Sequence, residues 1–390
     1  MTKKNILILS PDSPYNSMGG LGVHLLEILR RFDNQKYEVT VLAQCSPNCI
    51  INNCKVFGVS VYNFELGNGF RETLSETYIN QSRFISVFNI LLNNGSISKP
   101  DIIHCMDWST GIAAFEITLQ TGAKLVFAIH LSISNYLKNV STTQVLQWEI
   151  AKKIEFKLCQ QADAILQVSD NYSNLFPFFA FKNKTYIIPN GVDCKDYEKS
   201  EPFKHVGKNR YKIVYIGRFA DMKNVDVLSG IDIPKNCDLI FIGGAQGGEQ
   251  SLINRVVERS KVCKNIHYVG TMYGKEKINA LCAADLIIMP SIHEPFGLVA
   301  LEACAAAIGG KTVFASSFVG GMSEFLNSEA AINCGTTKES IEKSLFRFLK
   351  MSENEKKKMR SAAISIAKKY SWDNTTQNIQ QVYDNLLNNN

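Results

Sequence analysis

Along the chain, short apolar runs alternate with longer stretches in which apolar residues recur at helical spacing. The runs Asn5–Ser10, Glu38–Gln44, Asp101–Cys105, Lys124–Ile129, Ala164–Val168 and Thr185–Ile188 predict strands. Leu21–Phe32, Glu72–Asn93, Ser109–Thr121 and Thr142–Gln161 predict the helices between them. A βαβα order of this kind specifies a parallel sheet covered on both faces. The rhythm then restarts, with strands predicted at Tyr211–Ile216, Asp238–Ile242, Ile266–Val269, Asp285–Met289, Thr312–Ala315 and Ala330–Asn333. Between the two series, Asp193–Asn209 is polar, charged, interrupted by Pro202 and without a clear period, and reads as a linker. The last segment, Trp372–Leu387, predicts an amphipathic helix with Ile379, Val382, Tyr383 and Leu386 on one face. The expected class is α/β: two doubly wound domains of similar size with a cleft between them.

Composition narrows the class further. A length of 390 residues suits two domains at roughly 100–200 residues each. With 45% hydrophobic and 20% charged residues, the chain is not a disordered, collagen-like or small disulfide-stapled protein. No apolar run reaches the roughly 18–20 residues of a membrane helix. The start passes directly from Lys4 into Ile6-Leu7-Ile8-Leu9, without the pattern of a signal peptide. A cytoplasmic protein is expected.

The net charge of +6 is concentrated in one place. Between positions 350 and 370 stand Lys350, Lys356, Lys357, Lys358, Arg360, Lys368 and Lys369 against only Glu353 and Glu355. The run reads as the solvated face of a helix that turns Met351, Met359, Ala363, Ile366 and Ala367 inward. A peripheral contact with anionic lipid at a membrane is its second use. Nucleic acid is disfavoured, because only Tyr370 and Trp372, at the end of the run, supply aromatic rings. The eleven cysteines include no C-x-x-C pair. Cys45, Cys49 and Cys54 come nearest to a cluster but have no histidine beside them, so reduced thiols and no metal site are expected.

Open parallel sheets bind ligands beyond the carboxyl ends of their strands. After the first strand comes Gly19-Gly20-Leu21-Gly22, entering a helix whose free amides suit an anion. The spacing is not that of a dinucleotide site, and the loop alone is equally a tight turn. The run Gly243–Gly248 is a weaker signal of the same kind. After the first strand of the second series stand Gly217-Arg218 and, five residues on, Lys223. An arginine fork and a lysine there suit a diphosphate, against the plainer reading of two surface cations. The sharpest stretch is Pro290–Ala303. It holds Glu294 in a Pro/Gly turn and Glu302 about one turn inside a helix starting near Gly297, with free amides at Gly297 and Leu298. Two exposed glutamates flanking a helix would not account for the Pro295-Phe296-Gly297 between them.

Glu294 to Glu302 resembles the E-x7-E element of retaining glycosyltransferases of the GT-B fold, in the form E-P-F-G-L-x-x-L-E-A. The chain is similar to the family-four group, which includes glycogen and sucrose synthases. The resemblance runs over nearly the whole chain. It takes in Gly19–Gly22, Asp101–His104 with Asp107-Trp108, Ala128–His130, Ala162–Ile165 with Val168-Ser169, Pro189–Asp193, Gly217-Arg218 with Lys223, and Gly320-Gly321 with Glu324. The closing Tyr370-Ser371-Trp372 with Tyr383 resembles the family's last helix.

The resemblance implies two Rossmann-like domains facing a central cleft. Residues 1–195 would bind the acceptor, with helix 372–390 packed back on them, and residues 208–371 would bind a nucleotide-sugar donor. It implies that Arg218 and Lys223 clamp the donor diphosphate and that Glu302 accepts hydrogen bonds from the ribose. Glu294, with the amides of Phe296, Gly297 and Leu298, would hold the donor sugar. Gly217 belongs to the donor site. Gly19 and Gly20 would close over the phosphates, and His130 would face the sugar. The implied reaction is transfer of a hexose to a hydroxyl of a glycan, lipid or small molecule, with retention and without metal or other cofactor. Closure about Asp193–Asn209 would exclude water. Three departures stand out. Ser17 replaces a lysine, His104-Cys105-Met106-Asp107-Trp108 replaces H-x-H-D-W, and Ala307–Val313 replaces G-x-P-V. The first two argue against a starch or glycogen synthase and against a catalytic His104. Two other readings share the fold: a nucleotide-sugar epimerase or hydrolase, and a non-catalytic binding module, which would be expected to lack Arg218, Lys223 or Glu294.

Overall fold

In the computed structural model the chain divides into two units, Met1–Pro189 with Trp372–Asn390, and Asn190–Ser371. The structure describes residues 3–15, 19–44, 46–61, 70–136, 142–175, 177–245 and 250–388. Ser17, Cys45 and positions 246–249 of the second glycine-rich run lie outside them. Among the described residues no helix is long and apolar enough to cross a membrane.

The first unit is built on β1 (Lys4–Ser10), β2 (Tyr37–Gln44), β3 (Cys49–Ile51), β4 (Cys54–Val59), β5 (Ile102–Met106), β6 (Lys124–Ile129), β7 (Ala164–Gln167) and β8 (Thr185–Ile187). They lie in the order β3-β4-β2-β1-β5-β6-β7-β8, parallel except for β3 against β4. Strand side chains alternate between faces, so β1 feeds two cores. Ile6 and Ile8 join the core beneath helices Gly20–Leu29 and Trp372–Asn388. Leu7 and Leu9 join the one beneath Phe70–Asn93, Gly111–Thr121 and Thr142–Gln161. The hairpin β3–β4 is absent from the predicted series. It turns on Asn52 and Asn53 at φ 45° and 62°, the pair of positive angles that a two-residue hairpin needs.

The second sheet comprises β9 (Tyr211–Ile216), β10 (Cys237–Ile242), β11 (Ile266–Tyr268), β12 (Leu286–Met289), β13 (Val313–Ser316) and β14 (Ile332–Asn333). Its order is β11-β10-β9-β12-β13-β14, all parallel. In both sheets the order reverses beside the first strand of the series, β1 or β9. A parallel sheet puts the carboxyl ends of all its strands on one edge, and the reversal opens a crevice there.

Two expectations change. Asp193–Asn209 is not a free linker, since it runs along the second unit. Tyr197 is buried, the Glu201 amide donates to Asn279 Oδ1 at 2.8 Å, and Asn209 is held by Asp238 through its amide at 2.9 Å. His205 Nε2 lies 2.8 Å from the carbonyl oxygen of Ala280. Its polar residues satisfy fixed donors and acceptors, which is why no apolar period marks it. The division accordingly falls at Pro189–Asn190. The basic run is likewise not all solvated. Lys356 is buried, with its ammonium 4.5 Å from the Phe348 ring centre and 5.5 Å from that of Tyr211.

The final helix, Trp372–Asn388, belongs to the first unit. Tyr383 is fully buried against Phe32 and Tyr37, and its hydroxyl lies 2.5 Å from His104 Nδ1. Asp373 pairs with Arg31 at 3.0 Å, and Asp384 accepts from the Tyr37 hydroxyl at 2.5 Å. His104 Nε2 is buried with no hydrogen-bond partner, so the Tyr383 hydroxyl satisfies the one ring nitrogen that is paired. Tyr383→Phe should cost about 1–3 kcal/mol, the penalty of a buried polar group left unpaired. A lower midpoint of thermal unfolding is the expected result, and an unchanged midpoint would assign the contact no weight.

Candidate active site

In the second unit the loops after β9 and β12 are stitched together. The amides of Ile292 and His293 donate to the Met222 carbonyl at 2.8 and 3.3 Å. Asn224, left-handed at φ 58°, uses its side-chain amide to reach the carbonyls of Pro290 at 3.1 Å and Thr336 at 2.7 Å. These bonds seat the turn Asp221–Lys223 so that the Lys223 ammonium meets the Glu294 carboxylate. Glu294 is buried, and the Ser291 hydroxyl also approaches it, at 3.4 Å. A buried carboxylate needs such a partner, because desolvating a lone charge costs far more than a hydrogen bond returns. The loop Gly320–Glu324 packs over the same turn. Gly320 sits at φ +56°, and a Cβ there would come 2.0 Å from the Glu294 carbonyl oxygen. Only glycine fits so close an approach in that conformation. Arg218 follows β9, with its carbonyl held by the Tyr215 hydroxyl at 2.9 Å and a guanidinium nitrogen 3.9 Å from Met222 Sδ. Gly217 packs beneath Gly243, where a Cβ would come 1.9 Å from its carbonyl oxygen.

Glu302 lies on helix Leu298–Gly309, one turn beyond its left-handed cap Gly297 at φ 97°. Leu298 opens the helix, and the Phe296 ring is buried against Phe325 and Tyr370. Any role of Phe296 toward a ligand therefore falls to its backbone. Glu302 is not beside Lys223. Lys277, from helix Gly274–Ala283, stands 2.7 Å from both its carboxylate oxygens. Oε1 accepts the hydrogen bond, while buried Oε2 accepts none. His293, next to Glu294, has its pKa lowered by burial, with Glu294 opposing and Lys223 reinforcing.

The first unit brings together a second set. Gly19 caps and Gly20 opens helix Gly20–Leu29, which carries His24 to within 4.5 Å, ring centre to ring centre, of His130 at the end of β6. Trp372 packs on the other side of His24 at 5.7 Å. Burial, helped by His24 and His104, holds His130 well below the usual imidazole range. Burial, with His24 adding, brings His104 down to about 3. These rings are neutral at physiological pH. Beyond His130, the buried carboxylate of Glu155 gathers the amides of Ile133 (2.9 Å) and Ser134 (3.2 Å) and the hydroxyls of Ser132 (3.2 Å) and Ser134 (2.5 Å). At the end of β5, Asp107 takes φ 68°, a rare angle for a residue with a side chain, and accepts from the Trp108 amide at 2.7 Å. Among the described residues no group of three or more His, Cys, Asp and Glu side chains could hold a metal ion, and the described cysteines are free.

Comparison with known proteins settles the family. Residues 18–196 match the family described as Glycosyltransferase Family 4, and residues 196–369 match Glycosyl transferases group 1. The chain is a GT-B glycosyltransferase of the family-four group. Among its relatives, the glycogen synthase of Mycobacterium tuberculosis is 24% identical over 84% of this chain and 82% of its own. The GPI3 subunit of phosphatidylinositol N-acetylglucosaminyltransferase of Saccharomyces cerevisiae is 23% identical over 98% of this chain and 83% of its own. Among solved structures, sucrose-phosphate synthase from Thermosynechococcus elongatus has the same fold, with a TM-score of 0.82, full coverage of both chains and 18% identity. HepE of Anabaena, in complex with UDP and glucose, gives a TM-score of 0.72 at 15% identity over 98% of this chain and 100% of its own.

Of the residues singled out in the sequence of this glycosyltransferase, the structure joins Lys223 to Glu294 directly and places His130 against the helix that begins at Gly19 and Gly20. Lys277, Glu155 and the strain at Asp107 were not singled out. Lys277 is one of two lysines at the start of an ordinary helix, and Glu155 one polar residue among many in another. Asp107 was quoted without a role, and its angle leaves no mark in the sequence. Burial pushes the Asp107 carboxyl up to about 7, with Glu155 adding to the shift and the Trp108 amide opposing it. A carboxyl with a raised folded-state pKa stabilises the fold fully below its unfolded value, and that contribution is lost as pH rises through about 7. Asp107→Asn should therefore flatten the fall in unfolding midpoint between about pH 4 and about pH 7. Equal slopes for the variant and the parent would contradict this.

Proposed function

We propose that the protein transfers a hexose from a nucleoside diphosphate to a hydroxyl acceptor, with retention of configuration. The observation that carries this reading is the pair that Lys223 makes with buried Glu294 at the carboxyl edge of the second sheet, with Arg218 in the Lys223 loop. Breaking the bond from the anomeric carbon to the diphosphate sends the electron pair to a phosphate oxygen, where charge accumulates. Arg218 and Lys223 supply the matching positive charge, preorganised so that nothing need reorient during the reaction. No metal or organic cofactor is then required. Glu294 and the amides of Gly297 and Leu298 hold the sugar. Glu302 receives the ribose hydroxyls, its carboxylate keeping acceptor capacity beyond the bond to Lys277. The new bond forms on the face the diphosphate leaves, and the acceptor proton passes to the departing phosphate. Neutral His130 offers hydrogen bonding to the sugar without competing for the negative charge.

HepE, solved with UDP and glucose, and a structural neighbour from E. coli, solved with UDP-2-fluoro glucose, support a nucleoside diphosphate hexose as the donor class. The acceptor is a hydroxyl of a glycan, lipid or small molecule, and the yeast relative's name, which includes phosphatidylinositol, supports the lipid among these. The enzyme works in the cytoplasm, at the membrane periphery when the acceptor is a lipid.

A panel of nucleotide sugars scored by thermal stabilisation should yield a hit that Glu302→Ala abolishes. Arg218→Ala should lower turnover of that donor at least about 10²-fold, the scale for one removed charge-stabilising donor. Turnover should survive chelation of divalent metals. Near-normal rates in Arg218→Ala and Glu302→Ala together would refute the assignment.

A further inference from the structure

Helices Lys338–Lys350 and Glu353–Ala367 meet at a short connection and leave between them an open groove of about 830 Å3 in the second unit. Lys343, Arg347, Lys350 and Lys358 line it, against the two carboxylates of Glu329 and Glu355. None of these four cations forms an ion pair among the described residues. Glu355 is already engaged, accepting from the Ser352 amide at 2.8 Å and hydroxyl at 2.7 Å as a helix cap. The floor is apolar, with Met351, Met359 and Ala362. Phe346 also lines the groove and is 56% exposed, although its helix buries Ile341, Leu345 and Phe348. At spacings of three and four residues, Lys343, Phe346, Arg347 and Lys350 share one helix face.

Four cations gathered around two carboxylates carry an excess of like charge that repels itself, and an aromatic ring left in water forgoes its burial. Both costs are removed at once by a surface that is anionic outside and apolar within. We propose that this groove docks on an anionic lipid surface, Phe346 entering the headgroup–acyl boundary while the four cations meet lipid phosphates. An acidic protein segment is the competing occupant. Three of the four cations are lysines, whose apolar stems bury while the ammonium reaches a phosphate. The acyl boundary also takes up the exposed Phe346 ring, which an acidic segment alone would leave in water. The proposal goes beyond the transferase reading and does not depend on it, since docking is measured without donor or acceptor.

The test is cosedimentation of the full chain with phosphatidylcholine vesicles, with and without phosphatidylserine, at low and high salt. Binding should require phosphatidylserine and should weaken with salt. Lys350→Ala with Lys358→Ala should weaken it about twenty-five-fold, fivefold for each cation removed. Phe346→Ala should weaken it further. Lys235→Ala with Lys264→Ala, exposed lysines outside the groove, should leave it unchanged, and all variants should unfold at the parent's temperature. Binding to phosphatidylcholine alone, an unaffected groove double variant, or equal loss in the control pair would overturn the proposal. Tighter binding to polyglutamate than to the mixed vesicles would also overturn it, giving the groove to an acidic protein. Loss of vesicle binding with retained donor turnover would separate this surface from the active site.

Discussion

A carboxylate buried at the edge of a sheet has to be matched, and the second unit is organised around matching Glu294. The match comes from Lys223, fixed by a loop whose carbonyls and side-chain amide are tied to the Glu294 turn. A second loop closes over that turn, admitted only because Gly320 has no side chain to meet the Glu294 carbonyl. Three loops from three strands are thus held by one requirement. The resulting charge pair sits where the parallel sheet directs ligands, so the constraint that stabilises the edge also builds the site. It further makes the pair poised for exchange. Under the proposed transfer, a diphosphate would take over the Lys223 ammonium and sugar hydroxyls would donate to Glu294, without either charge ever being left unmatched.

Glu302 follows the same logic one helical turn away. Lys277 neutralises it, standing 2.7 Å from both oxygens with the hydrogen bond directed to Oε1. A carboxylate has acceptor sites beyond those one ammonium can fill. Under the proposed transfer, that remaining capacity is what a polyhydroxylated ligand would use.

Much of this was legible in the sequence because each layer has its own signal. The strands declared themselves through apolar runs that are buried on both faces, and the Glu294–Glu302 stretch through Pro-Phe-Gly between two acids. The β3–β4 hairpin was missed because its first strand is three residues long and its Asn52-Asn53 turn carries little apolar pattern. Asp193–Asn209 looked like a linker because its contacts are polar, and polar contacts have no period. The basic run looked uniformly solvated, yet Lys356 stacks into an aromatic pocket while its neighbours Lys357 and Lys358 stay exposed. Residue type alone cannot separate them, since a lysine stem buries as readily as an aliphatic chain. Lys277 and Glu155 escaped for the related reason that an ordinary helix surface also carries lysines and glutamates.

The two units handle charge in opposite ways, and the contrast bears on chemistry. In the second unit the site charges are kept and paired, Lys223 with Glu294 and Lys277 with Glu302. In the first unit, charge is suppressed. His130 and His104 are driven neutral by burial, and burial raises the pKa of Asp107 and Glu155. Glu155 is raised even though it accepts four hydrogen bonds, so desolvation outweighs them there. A departing diphosphate gains charge and calls for fixed cations. Under the proposed transfer, a hydroxyl nucleophile stays neutral until it reacts, and neutral rings suit holding it. Strain at Asp107 fits that division, because a residue at φ 68° at the end of a central strand is held there against its own backbone preference. On the proposed reading, the same fold, used twice in one chain, would supply one edge suited to stabilising anions and another suited to positioning a hydroxyl.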